Sequence, residues 1–268
     1  MSGEQVCCAS AQLPAKAASD DKVFTTPSAV LVLDGASAFR PAPVSASTYA
    51  DQLGRHLAAQ LTNTPDTDLR TALGEAIAQT ACDLNLRRGD SPSSTVAMVR
   101  VCTDHVDGLV LGDSPIVFPH GQLADHRIDA LELPQRQQYR QRLASGTGYD
   151  QHHRRLLHEL QDQQAQWRNR AGGYWIAEAD PEAANHALTI SHPIDTTPWS
   201  VLATDGAFNT IEYLNLNDWP RIARHGPREL EALLDYCRSW EANHDPHGHH
   251  LPRSKQHDDK AIAVARRS

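Results

Sequence analysis

Short apolar runs that end on an aspartate recur along this chain, and they limit its fold more than any other feature. Ala29-Val30-Leu31-Val32-Leu33 closes on Asp34-Gly35, residues 108–111 close on Gly112-Asp113, and residues 199–204 close on Asp205-Gly206. A fourth run, residues 261–265, opens just after Asp258-Asp259. Runs of this length, β-prone and bounded by turn residues, predict buried strands. Most come in strand-turn-strand blocks. Residues 94–101 and 108–111 flank a hairpin connection at Asp104-His105, and residues 115–118 run on to a turn at His120-Gly121. Strands are also expected at residues 187–191 and 199–204, and residues 1–20 read as a loose lead-in or a short edge strand.

Helical spacing appears between these blocks. Tyr49, Leu53, Leu57 and Leu61 predict one helix, and Leu69, Leu73, Ile77 and Leu84 a second, with a break near Pro65. Residues 134–170 predict an exposed helical pair broken at residues 146–148, with Leu156, Leu157, Leu160 and Trp167 as its apolar stripe. Leu230, Leu233, Leu234 and Cys237 mark a further helix. There is no regular βαβ alternation, so antiparallel sheets covered by helices are expected rather than a doubly wound parallel sheet.

Composition narrows the function classes. Among 268 residues, 33 are Asp or Glu and 25 are Lys or Arg, a net charge of −8, which disfavours nucleic acid and membrane surfaces as partners. The five cysteines include no C-x-x-C pair, so neither a disulfide scaffold nor a zinc knuckle is predicted. No basic and apolar leader opens the chain, and no apolar run reaches the ~20 residues of a membrane span; a cytoplasmic setting is the expectation. No P-loop or G-x-G-x-x-G supports nucleotide binding.

One Asp-Gly alone reads as a turn dipeptide. Several carboxylates at neighbouring strand ends converge on one rim, where they resist ionisation together unless a cation sits among them. Oxygen donors without His or Cys favour Mg²⁺ or Mn²⁺ over zinc. In order, the chain reads Lys16 followed by Asp20-Asp21, Leu33-Asp34-Gly35, Ser93-Ser94-Thr95 leading to Gly112-Asp113-Ser114, then Thr204-Asp205-Gly206 and Asp258-Asp259 before the last strand. In this order and spacing the sequence resembles the metal-dependent protein phosphatases of type 2C, over nearly its whole length.

The resemblance implies an α+β fold, a four-layer α-β-β-α sandwich of two antiparallel sheets flanked by helices. It implies one domain over residues 1–268 with a helical flap around residues 134–180. Asp34 and the Gly35 carbonyl would hold two Mn²⁺ or Mg²⁺ ions, with Asp205 and Asp258 completing one site and Asp113 contributing to a weaker third. Asp20, Asp21 and Asp259 would act through bound waters, Lys16 would contact the phosphate, and a metal-bridging water held by Asp34 would be the nucleophile. The chain departs from the usual pattern at several positions. Lys16 stands for Arg and lacks the bidentate fork, Asp20 stands for Glu, and Asp259 stands for Asn, with Asp258 favoured as the ligand. Asn209 stands where some members carry a further acidic ligand, and Ala36 where animal members carry a histidine acid.

The function implied is hydrolysis of phosphate monoesters, with phosphoserine or phosphothreonine in a protein as substrate. A pseudophosphatase that binds a partner is one alternative, and a phosphatase of a small phosphorylated metabolite is another. Other features read as structural. His244, His247, His249 and His250 with Asp245 lie in a loop expected to be solvated. Arg154, Arg155, Arg168 and Arg170 read as an exposed helix face, and Trp175 as packing.

Overall fold

All five residues of the run Ala29–Leu33 are buried, which requires cover on both faces of the strand. The computed structural model describes residues 6–15, 18–36 and 42–267. Its strands are β1 (Val6–Leu13), β2 (Lys22–Thr25), β3 (Ala29–Leu33), β4 (Val96–Val101), β5 (His105–Leu111), β6 (Ile116–Phe118), β7 (Gly121–Leu123), β8 (Leu188–Pro193), β9 (Trp199–Ala203) and β10 (Lys260–Arg267). Its helices are α1 (Ala46–Asn63), α2 (Leu69–Asp83), α3 (Pro134–Ala144), α4 (Gln151–Trp167), α5 (Asp205–Tyr213), α6 (Trp219–Ile222) and α7 (Pro227–Asn243).

The strands form two five-stranded sheets, ordered β1-β10-β9-β6-β7 and β2-β3-β4-β5-β8, with antiparallel pairing throughout. Alternation along β3 explains its double burial. Ala29, Leu31 and Leu33 pack with Tyr49, Leu53 and Leu57 of α1 and with Leu73 and Ile77 of α2. Val30 and Val32 point the other way, to Leu202 of β9 and to Ala261, Ala263 and Ala265 of β10. The remaining face of β10, Ile262 and Val264, packs with Ile211 of α5 and with Leu230, Leu234 and Cys237 of α7. The result is the expected α-β-β-α sandwich. Each fully buried Leu or Val contributes roughly 1.5–3 kcal/mol, and a charge at Leu31 would break two layers at once.

Caps and breaks fall where local chemistry puts them. The Ser45 and Asp68 side chains accept from Thr48 N and Thr71 N, starting α1 and α2 on either side of Pro65. The structure corrects several expectations. β1 is an edge strand, but eight residues long and paired along its whole length with β10. Its half-buried Cys8, Ser10 and Gln12 give no continuous apolar run. β2 and β7 are too short to show a period. Asp205-Gly206 does not end a strand in a turn; it begins α5.

Between β7 and β8 the chain builds α3 and α4 around a separate small core of Leu133, Tyr139, Leu143, Leu156, Leu157 and Leu160. Among the described residues, no helix is long and apolar enough to cross a membrane.

Candidate metal centre

Strand register brings the acidic segments together. Lys22 pairs with Leu33, so Asp20-Asp21 enter β2 where Asp34 leaves β3. Val32 pairs with Ala97 and Val96 with Leu111, so Asp113 follows β5 at the same end. In the second sheet Ala203 pairs with Ile262, so Asp205 leaves β9 beside the entry of Asp258-Asp259 into β10. The sheets lie face to face, and the segments meet on one rim. Asp34, Asp113, Asp205 and Asp258 all line a cavity of about 620 Å³. Its far wall comes from α3 and α4, through Arg136, Tyr139, Arg140 and Leu157, with Arg168 beyond them.

The backbone around the rim is tightly held. Asp34 N donates to Thr95 Oγ1 at 3.2 Å, and the Asp34 carbonyl accepts from Thr95 N and Ser94 Oγ, each at 2.9 Å. Thr95 Oγ1 in turn lies 2.6 Å from Ser114 Oγ, which explains the Ser/Thr-rich entry to β4. The Asp-Gly glycines serve close approach rather than a left-handed turn. A Cβ on Gly206 would lie 2.2 Å from the Asp259 carbonyl, and one on Gly35 2.9 Å from that of Asp20.

Thr204 ties the sheets together: its Oγ1 donates to Asp21 Oδ2 at 2.8 Å and accepts from Ala261 N at 2.9 Å. Asp259 turns away from the cavity. Its Oδ2 accepts from Asp20 N at 2.6 Å and Ser19 Oγ at 3.1 Å, fixing the acidic turn, while Asp258 faces the cavity.

Burial and mutual repulsion dominate the electrostatics. Burial, then Asp21, Asp205, Asp258 and Asp113, hold the Asp34 carboxyl well above the usual range. Asp21, 1% exposed, is pushed up to about 8 by burial and then by the rim carboxylates, against the Thr204 hydrogen bond. Asp113 rises to about 7 from burial and Asp205. Asp205 is raised by burial and Asp258, partly offset by a hydrogen bond with Asp34. Asp20 is raised chiefly by burial. The cavity-facing donors of this set are carboxylates, and no cysteine lines the cavity among the described residues, so the residues fit a hard divalent cation.

Two lysines escaped the sequence reading. Lys260, 1% exposed, donates to the Gly206 carbonyl at 2.9 Å and pairs with the fully buried Glu241 Oε1 at 2.6 Å. Thr210 Oγ1 and His257 Nδ1 complete Glu241 at 2.9 and 3.3 Å. Lys255 Nζ lies on the rim itself, 3.0 Å from Asp258 Oδ1. Burial opposes its charge, but Asp258, Asp34 and Asp259 outweigh that and hold the ammonium above the usual lysine range. Lys255 belongs to no apolar period or strand-end motif, and Lys260 sits at the start of β10 beside Asp258-Asp259 with nothing local to mark its pairing with Glu241. Lys16 lies outside the described residues.

The four histidines of the His-rich loop are exposed, as expected, but the loop is anchored through a buried acid. Asp245, 1% exposed, accepts from His250 N, Leu251 N and Arg253 Nη1 at 3.0, 3.1 and 2.7 Å. Arg168 turns inward, donating to Tyr174 Oη at 3.3 Å, whereas Arg154 and Arg155 stay exposed. Trp175 stacks on His186 at 3.4 Å, as packing.

Among the described residues, the one group of three metal-ligating side chains whose ligand atoms all lie within 4.8 Å of one another is Cys102, His105 and Asp107, at the opposite end of the sheet. There Arg100 Nη2 already takes Asp107 Oδ2 at 2.7 Å.

A two-sheet, four-layer sandwich with an acidic rim between its sheets defines a class, and sequence comparison agrees. The family model for protein phosphatase 2C matches residues 14–226, and the chain belongs to that family. No curated protein matches it. Among solved structures it resembles PppA of the Pseudomonas aeruginosa type VI secretion system, at 17% identity and TM-score 0.53 over 99% of each chain. It also resembles MsPP of Mycobacterium smegmatis, a PPM Ser-Thr phosphatase in complex with cacodylate, at 16% identity and TM-score 0.53 over 100% of each chain. A third likeness is the catalytic domain of PstP in complex with 2 manganese ions, at 10% identity and TM-score 0.50 over 98% of each chain. At these identities the likenesses establish the fold.

Proposed function

We propose that this protein is a Mn²⁺- or Mg²⁺-dependent phosphatase that hydrolyses phosphate monoesters, with phosphoserine or phosphothreonine in proteins as substrate. The observation that carries the reading is the convergence of Asp34, Asp113, Asp205 and Asp258 on one cavity, where at least three of these carboxyls are held above their usual range. In this reading Asp34, the Gly35 carbonyl, Asp205 and Asp258 hold two ions, and Asp113 serves a weaker third. When bound, such ions supply a hydroxide nucleophile near neutral pH and neutralise charge on the phosphoryl oxygens.

The chain's own residues orient that chemistry. Thr204 fixes the Asp21 carboxyl, Asp259 fixes the Asp20 turn, and the Ser94–Thr95 hydroxyls fix the backbone of Asp34. Lys16 would contact the phosphate. Ala36 lines the cavity where a histidine acid would stand, so the leaving-group proton comes from solvent or another side chain. Residues 1–268 act as one domain, with α3 and α4 as its flap. The five unpaired cysteines suit a cytoplasmic setting.

A second reading, a phosphatase of small phosphate esters, is favoured by the wall that α3 and α4 build across the cavity. One assay series tests both: turnover of a phosphopeptide and of p-nitrophenyl phosphate with Mn²⁺, Mg²⁺ or EDTA, for the intact protein, Asp34→Ala and Asp205→Ala. Metal-dependent turnover is expected, falling at least about a thousandfold in either variant, because several kcal/mol of charge stabilisation leave with the ions. Preference for the small ester selects the second reading. No turnover from folded protein with any metal overturns the enzyme and leaves a phosphoprotein-binding module.

A further inference from the structure

The position of Lys255 is built rather than incidental. On one side Ser254 O accepts from His153 Nε2 of α4 at 2.8 Å. On the other, Gln256 O accepts from Arg253 Nε at 2.9 Å, and Arg253 is itself anchored to Asp245 through Oδ2 and the carbonyl, each at 2.7 Å. The backbone is therefore pinned before and after Lys255, which carries Nζ to Asp258 Oδ1 at 3.0 Å. The same oxygen accepts from Asp259 N at 3.1 Å, so the carboxylate is oriented as well. Lys255 is 31% and Asp258 24% exposed in the side chain, enough shelter for the pair to be more than a solvated surface contact.

We propose that Lys255 is a built-in counter-cation that competes with a divalent ion for Asp258. The inference rests on the metal-centre reading above and deepens it. An ion shared by Asp205 and Asp258 must take Asp258 from the ammonium, and two positive groups on one carboxylate repel each other. Lys255 thus sets the divalent-ion concentration at which the Asp205–Asp258 side fills, and the Asp245–Arg253 anchor together with the α4 contact sets the position of Lys255. The His-rich loop and the helical wall gain a shared role: they hold the competitor in place.

Isothermal titration of Mn²⁺ into the intact chain tests this without reference to turnover. The variants are Lys255→Met, Lys255→Gln and the charge-keeping Lys255→Arg, each checked for folding by thermal unfolding in EDTA, with Asp34→Asn as a control on the centre. Lys255→Met and Lys255→Gln are expected to tighten the weaker Mn²⁺ step by about tenfold, the scale at which partners of a metal ligand act, while Lys255→Arg stays near the parent. Mn²⁺ binding by Lys255→Met where the parent binds none supports the proposal in its strongest form.

Unchanged or weaker Mn²⁺ binding in both neutral variants overturns the proposal, and if Asp34→Asn still abolishes binding, the metal-centre reading survives it. Absence of Mn²⁺ binding in the parent and in every Lys255 variant overturns both.

Discussion

The two ends of the β2-to-β8 sheet both gather carboxylates and treat them in opposite ways. At the β4–β5 hairpin, Arg100 Nη2 lies 2.7 Å from Asp107 Oδ2, His105 Nε2 lies 3.4 Å from it, and Arg100 also donates to the Pro65 and Thr67 carbonyls. That carboxylate has a guanidinium of its own and does structural work. At the opposite rim, Asp21, Asp34, Asp113 and Asp205 are all pushed upward, although Lys255 pairs with Asp258 and Lys22 lies near Asp20 and Asp21. The nearby Lys260 is already paired with Glu241. A carboxylate at a strand end is ordinary. What distinguishes the rim is a shortage of cationic side chains relative to its acids, and that shortage is what the proposed metal centre rests on.

The contrast can be broken most severely at the hairpin. Arg100→Met leaves Asp107, only 17% exposed in its side chain, without its guanidinium, and should cost about 3 kcal/mol in chemical denaturation with Mn²⁺ affinity unchanged. A loss below about 1 kcal/mol would mean that the hairpin ion pair is not structural.

The next largest effect belongs to the rim. Asp113 and Asp21 are raised from 3.8 to about 7 and about 8, so the folded state binds more protons than the unfolded one. In EDTA their contribution is full below the unfolded value and is lost progressively as pH rises from 3.8 through about 7 and about 8. The melting temperature in EDTA should fall across that window. Mn²⁺ at a hundred times its Kd should add about 2.7 kcal/mol at the alkaline end. A melting temperature in EDTA that is flat or rises across the window would mean that the rim is not short of cations.

The smallest effect sharpens the comparison. Cys102 Sγ lies 3.9 Å from the Asp107 oxygen that Arg100 occupies. Cys102→Ser should therefore change stability by no more than about 0.5 kcal/mol. A Zn²⁺-dependent rise in melting temperature that this substitution removes would turn the hairpin into a second metal site.

Much of the fold was legible because burial on both faces leaves a continuous apolar signature, as in Ala29–Leu33 and in Ala261–Ala265, and because Leu and Tyr at helical spacing mark α1 and α2. The elements that were missed lack such a signature. β2 and β7 span four and three residues, and α5 hides behind an Asp-Gly that serves equally as a turn dipeptide. Asp34, Asp113, Asp205 and Asp258 were legible as strand ends. The separate duties of Asp258 and Asp259 were not, because the 2.6 Å bond from Asp20 N to Asp259 joins residues 239 apart in sequence.

The sequence by itself determined the strands with a continuous apolar run, which of them end in an acid, and the family pattern those acids follow, because these depend on local periodicity and turn chemistry. Only the tertiary structure decided which charges meet. Register across the two sheets closed the acids onto one cavity, Glu241 claimed Lys260, and the pinned loop after α7 laid Lys255 on Asp258. Charge interactions act through space at a few ångströms, and the order of residues along the chain does not record that distance.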